Sequence, residues 1–193
     1  IMYIKGSTST SFNFKDILSN SYTICSLTRY TGGTRRKILN GNSGQWWHGH
    51  RDNYRGSLYY NHDQWERRYA YGNSYNYGIG TYDWVAVCAT NKASDPYFVN
   101  GNKYTGHTGG TSRPNGVRVN NWSSDTSDWG IAFLATWNYH MSDTEMEIMS
   151  DWLNPTSNGN GVLCLNCPVY ITISCIFYSI QPNSKQSIRY SCR

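Results

Sequence analysis

Hydrophobic and polar positions alternate along this chain with the short period of β-structure, and the pattern changes once. From Gly130 to Trp137, Ile131, Phe133, Ala135 and Trp137 alternate with Ala132, Leu134 and Thr136. That is the period of a strand, apolar on both faces, which predicts a strand inside a two-layer structure. A helical signal follows. Ser142 and Glu145 have the spacing of a capping box, with Met146, Met149, Trp152 and Leu153 at helical spacing behind it. Upstream, further short strands are predicted at Met2–Ile4, Tyr22–Tyr30, Lys37–Leu39, Gly44–His50, Ser57–Tyr60, Trp84–Thr90, Tyr97–Val99 and Gly116–Val119. Asn100-Gly101 marks a hairpin between Tyr97–Val99 and Lys103-Tyr104, because the favoured two-residue turn needs positive φ at both positions. The tyrosine- and glycine-rich run Arg67–Gly80 reads as a long loop or a meandering edge.

The pattern predicts an all-β, two-sheet antiparallel sandwich over residues 1–154, closed by one short capped helix. Residues 155–161 read as a linker, after a boundary rich in Pro, Asn and Gly. Residues 162–193 form a cysteine-rich tail, in which Val169, Ile171, Ile173 and Phe177 alternate with polar positions as in a strand. A tail of that length cannot build a core alone, so it needs disulfides or a partner surface. One expectation is that it pairs with a neighbouring copy, giving a homo-oligomer or filament; folding back on its own sandwich is the other.

Composition sharpens this picture. Aromatics make up 16% of the chain, so Tyr and Trp carry much of the burial. The net charge of +5 is spread along the sequence without a basic stripe. That argues against a nucleic-acid partner. The most apolar run, Val169–Ile180, is too short to insert in a bilayer, which takes ~20 residues. Six cysteines point to an oxidising, extracellular setting, secreted or at the cell surface. Cys25 and Cys88 each sit mid-strand among apolar neighbours and are expected to pair; two buried free thiols are the alternative. Cys164, Cys167, Cys175 and Cys192 would then pair within the tail. Asn121-Trp122-Ser123 is a glycosylation sequon in a polar loop, so Asn121 is expected to carry an N-linked glycan.

Several segments together resemble the LamG-like, concanavalin A-like superfamily in its pentraxin-like branch. They are Thr23–Gly41 (TICSLTRYTGGTRRKILNG), Gln45–Tyr60 (QWWHGHRDNYRGSLYY), Thr81–Lys92 (TYDWVAVCATNK), Tyr97–Gly106 (YFVNGNKYTG) and the strand–helix unit Ser127–Leu153. The resemblance implies two packed antiparallel sheets following a jelly-roll path. It implies no activity, since lectins, adhesion modules, structural repeats and glycosidases share the fold. The tail's Cys164–Pro168 (CLNCP) resembles the start of small cysteine-rich repeats of large extracellular proteins.

Candidate chemistry is sparse. Glycosidases need two carboxylates flanking a sugar. The glutamates are Glu66, Glu145 and Glu147, and Glu145 is used by the cap, so the chain reads as a non-enzyme. His48-Gly49-His50 places two imidazoles on one strand face, with only Asp52 or His62 as a further ligand, so no metal site is assigned. Calcium, which such domains often hold through loop oxygens, would have Asp83, Asp125 and Asp128 to use; no cofactor is assigned. The strongest hint of binding is aromatic. Trp46, Trp47, Tyr54 and Trp65 lie close in sequence with Arg51, Asn53 and Arg55, and aromatic faces stack on sugars. The sequence reads as a non-enzymatic structural or adhesive glycoprotein module that assembles into a fibre, surface hair or matrix. The alternative is a carbohydrate-binding, lectin-type domain.

Overall fold

The computed structural model describes residues 2–42, 46–60, 68–71, 83–92, 95–105, 113–120 and 125–154, with the backbone alone for 68–71. Trp65, Asn121, the linker and the whole cysteine-rich tail lie outside the described residues.

The strands are β1 (Ile4–Gly6), β2 (Phe12–Asn13), β3 (Thr23–Tyr30), β4 (Leu39–Gly41), β5 (Trp46–Arg51), β6 (Tyr54–Tyr60), β7 (Arg68–Tyr71), β8 (Val85–Thr90), β9 (Tyr97–Val99), β10 (Asn102–Tyr104), β11 (Val117–Val119) and β12 (Trp129–Trp137). One helix, α1 (Asp143–Leu153), follows. The first sheet runs β1-β12-β3-β8-β9-β10 and the second β2-β11-β4-β5-β6-β7, both six-stranded. All pairings are antiparallel. The expected two-sheet sandwich is therefore the observed fold. Part of the Arg67–Gly80 run supplies β7, an edge of the second sheet.

Strand alternation builds two cores. Between the sheets lie Ile24, Tyr30, Val85, Val87, Trp129 and Ile131 from the first sheet, facing Leu39, Trp46, Leu58, Tyr60, Val117 and Val119 from the second. The other face of the first sheet carries Cys25, Leu27, Ala86, Cys88 and Phe98. An apolar outer face needs a cover. Helix α1 provides it with Met146, Met149 and Leu153. This explains why β12 and its neighbours are apolar on both faces.

The helix starts where the sequence places it. Ser142 is the N-cap, and its side chain and that of Glu145 exchange hydrogen bonds with each other's backbone amides. Its C-terminal half docks on the β9–β10 hairpin. Asn100 and Gly101 take the positive φ values, 48° and 79°, that the sequence predicts. Gly101 N–H donates to Ser150 Oγ (3.0 Å), and Asn154 Nδ2 donates to the Asn100 carbonyl (3.0 Å).

Cys25 and Cys88 stand opposite each other on β3 and β8 and form a disulfide. It lies between the first sheet and α1 rather than between the two sheets. The bond indicates an oxidising compartment. No helix among the described residues is long and apolar enough to cross a membrane.

Candidate functional site

The second sheet is the half of the sandwich without a helix over it among the described residues. Its inner side chains belong to the core, so the intervening residues stand on its outer face. Cross-strand register aligns them in one row. Arg118 on β11 pairs with Asn13 on β2 and Asn40 on β4, Asn40 with Trp47 on β5, and Trp47 with Tyr59 on β6. The row thus passes from polar to aromatic across five strands.

Its aromatic end is tightly packed. The Trp47 and Tyr59 rings stack side by side, 4.5 Å apart and within 10° of parallel. The Trp47 indole N–H donates to Ser57 Oγ (2.9 Å). The Arg51 guanidinium lies 4.2 Å from the centre of the Trp47 ring and Lys37 Nζ 5.3 Å. Both contacts fall in the range of cation–π attraction. Lys37 is also salt-bridged to Asp125 at 2.7 Å. Asp52, at the tip of the β5–β6 hairpin, accepts from Arg36 and Arg51, both at 2.9 Å. Burial alone would raise the Asp52 carboxyl, but the two guanidiniums outweigh it and hold it below the usual carboxylate range.

The polar end is different. Asn40 is 1% exposed, and neither its side-chain oxygen nor its nitrogen has a hydrogen-bond partner. Asn42, one residue beyond the end of β4, donates to the Asn115 carbonyl (2.9 Å), while its buried Oδ1 has no partner. Buried polar groups in proteins are overwhelmingly paired, so three unmet atoms in one place call for an explanation. Nothing in the local sequence marks Asn40. Only the register that sets it between Arg118 and Trp47 does so.

The residues singled out from sequence fall in three places. Trp47 is on this outer face, and Tyr54 is half-buried at the hairpin beside Arg51. Trp46 is not on it. It points between the sheets, stacks on Tyr60 (5.2 Å) and donates its indole N–H to Tyr22 Oη (2.9 Å), so it is a core residue. Trp47 also differs from expectation, since both faces of its ring are occupied, by Tyr59 and by Arg51. Trp47 is 0% exposed and Tyr59 4%, so both are packed in this structure and neither is an open stacking platform.

His48 and His50 do share one strand face, the inner one. There they pin the sheets together. His48 Nε2 contacts the Val87 carbonyl on β8 (3.3 Å) and its Nδ1 pairs with Tyr60 Oη; His50 Nδ1 pairs with Thr28 Oγ1 on β3 (3.0 Å). Burial lowers both imidazoles to about 3, assisted at His48 by no charge and at His50 by Arg55 and then His48. Asp52 points to guanidiniums and not to this pair. Asp125 holds Lys37, and Asp128 accepts from the Thr34 amide at 3.0 Å. Among the described residues no group of three His, Cys, Asp or Glu side chains is placed to hold a metal.

No family model matches the chain. No curated protein matches it in sequence. Among solved structures, a Trypanosoma rangeli sialidase aligns with 79% of this chain at 13% identity and a TM-score of 0.46. A Trypanosoma rangeli sialidase in complex with 2,3-difluorosialic acid, a covalent intermediate, aligns with 72% at 13% identity and a TM-score of 0.42. The chain spans 27% and 23% of those chains respectively. What fold and register define is a disulfide-bonded, two-sheet antiparallel sandwich with one helix-covered face and one polar–aromatic face.

Proposed function

We propose that this chain is a carbohydrate-binding β-sandwich module of an extracellular protein, without catalysis of its own, and that the outer face of the second sheet binds the sugar. The observation that carries this reading is the set of buried, unmet amide atoms at Asn40, set between Arg118 and Trp47, and at Asn42 just beyond the end of β4. Sugars present hydroxyls that donate and accept in alternation, and C–H surfaces that suit aromatic groups. A floor of amides beside two rings fits both properties. Asn40, Trp47 and Tyr59 are 1%, 0% and 4% exposed, so a ligand must first displace covering side chains such as Lys37 and Arg51, whose long stems lie over Trp47 and can swing aside while their charged heads stay in water. The non-enzymatic part of the reading is supported by the carboxylates. Asp52, Asp125, Asp128 and Glu145 are each engaged by a cation or a backbone amide. The disulfide supports the extracellular part. Membership of the LamG-like family belongs to the same proposal, supported by the strand-then-capped-helix unit and the Asn100-Gly101 hairpin.

A glycan array probed with the full chain tests this directly. Binding to at least one glycan class is expected, weakened about tenfold by Asn40→Ala through lost hydrogen bonds, with the melting temperature measured alongside. An array silent at high protein concentration overturns the reading.

A structural, self-assembling module is the second reading, and one observation favours it. Strand β1 pairs with β12 only over Trp129–Ile131, while β12 continues to Trp137. Ile4 on that edge strand is 53% exposed. Edges of this kind invite another strand. Sedimentation of the full chain without sugar is then expected to show oligomers, lost on deleting residues 162–193; a monomer at every concentration overturns it.

A further inference from the structure

We infer that the tail segment Val169–Tyr178 adds a strand to the first sheet of its own sandwich, against the stretch of β12 that β1 leaves unpaired. The sugar reading concerns the other sheet and does not depend on this.

Strand β12 has a long edge and a short neighbour. On one side it pairs with β3 from Trp129 to Trp137. On the other, β1 reaches only Trp129–Ile131, and the β12 register shifts between Ile131 and Phe133, just past the end of β1. Among the described residues, no backbone hydrogen bond meets the β1 side of Phe133–Trp137. The side chains beside that edge are apolar and incompletely covered. Phe133 and Trp137 stand on the helix side of the sheet and are half-buried. Helix α1 lies over β3, β8, β9 and β10, and it meets β12 where the Trp152 ring touches Phe133 edge-on, 5.8 Å between ring centres. Ile148, one turn before Trp152 on the same helix face, is 47% exposed. The inner side of β12 is already engaged, since the Thr136 hydroxyl donates to the Ile17 carbonyl (3.2 Å). What is left is a row of backbone groups with apolar surface on the helix side, a template for one more strand.

The chain itself carries a strand that fits. Val169, Ile171, Ile173 and Phe177 alternate with Tyr170, Thr172 and Ser174, and no charge falls between Val169 and Tyr178. One face of such a strand is apolar enough to meet Phe133 and Trp152, and the other bears hydroxyls. Left unpaired, an uncharged run of this β-propensity is an aggregation hazard. Its own sandwich is the nearest acceptor. The described chain leaves α1 at Asn154, which is bonded to the Asn100 carbonyl of the β9–β10 hairpin, on the same sheet. From β9 to β12 is three strand spacings, about 14 Å at about 4.8 Å each. Residues 155–168 can span up to about 46 Å at about 3.3 Å per residue, so the segment reaches β12 with slack. A tether of that kind holds the strand at an effective concentration of about millimolar, which the tail of a neighbouring copy in dilute solution does not match.

NMR of the full, oxidised chain tests this. Cross-strand NOEs between Val169–Tyr178 and Phe133–Trp137 are expected. The amides of Phe133–Trp137 that face away from β3 should exchange slowly with solvent. Ile171→Asp combined with Ile173→Asp should release them and speed their exchange about tenfold or more, because an unpaired carboxylate is costly to bury, while the β8 amides keep their rates. Isotope-filtered spectra of mixed labelled and unlabelled chains separate the two sources of the strand. NOEs within one chain uphold the inference. NOEs between chains overturn it in favour of the strand exchange of the second reading. Absence of NOEs between the two segments overturns it as well, as does exchange at the outward amides as fast as in an unstructured peptide. The NOEs are read in the unaltered chain, so they decide the matter even where the double variant loses its fold.

Discussion

Acidification from pH 7.5 to 4.5 should remove a third or more of the stability of this sandwich. His48 and His50 are fully buried, and burial holds both imidazoles at about 3 against an ordinary value near 6.5. Between those values the unfolded chain binds two protons that the folded chain refuses. Stability contributed by the neutral pair is therefore complete above about pH 6.5 and is lost as pH falls toward 3. Each histidine contributes about 1.4 kcal/mol per pH unit in that window, so two units cost about 5 kcal/mol together. Domains of this size are stable by only about 5–15 kcal/mol. The geometry amplifies the effect, because the same imidazoles hydrogen-bond the second sheet to β3 and β8 of the first. Tyr30, Tyr60 and the cationic Arg55 surround them, and no described carboxylate is paired with either ring to stabilise an imidazolium. Urea titrations at pH 7.5, 6.0 and 4.5 should show the falling midpoint, and His50→Gln should flatten the slope. Equal unfolding free energies at the extremes would contradict it.

The disulfide should matter nearly as much. It joins residues 63 apart in sequence. The chain-entropy treatment gives about 4 kcal/mol for a loop of that length. Both cysteines are buried under Met146, Met149 and Leu153, so reductant must wait for α1 to lift. Reduction is expected to be slow in buffer and fast in sub-denaturing urea. The reduced protein should unfold at a lower urea midpoint. Oxidised and reduced protein unfolding together would show that the bond adds nothing beyond the register already set by β3 and β8.

How much of this was legible in the sequence depended on how local the cause was. Ser142 and Glu145 cap α1 through contacts three residues apart, so the motif predicted the helix start. Asn100-Gly101 sets a turn by its own backbone preferences. The alternation in β12 foretold two covered faces, and the apolar neighbours of Cys25 and Cys88 foretold their pairing. The aromatic run was harder. Alternation guaranteed that Trp46 and Trp47 would part company, but not which would face the core. That depended on β4 and β6 on either side. His48-Gly49-His50 looked like a ligand pair because shared facing was legible while the facing sheet was not. Asn40 carried no local signal at all. Its significance comes from Arg118, Trp47 and Tyr59, brought alongside by pairings between strands far apart in sequence.

The central claim is that the outer face of the second sheet binds sugar through Asn40. Its most direct test is an NMR titration following the side-chain amide of Asn40 and the indole N–H of Trp47 as an oligosaccharide of the best-bound glycan is added. Both signals should shift together and saturate at one affinity, with the Trp46 indole in the inter-sheet core shifting far less. Saturable binding that leaves Asn40 and Trp47 unmoved would contradict the account.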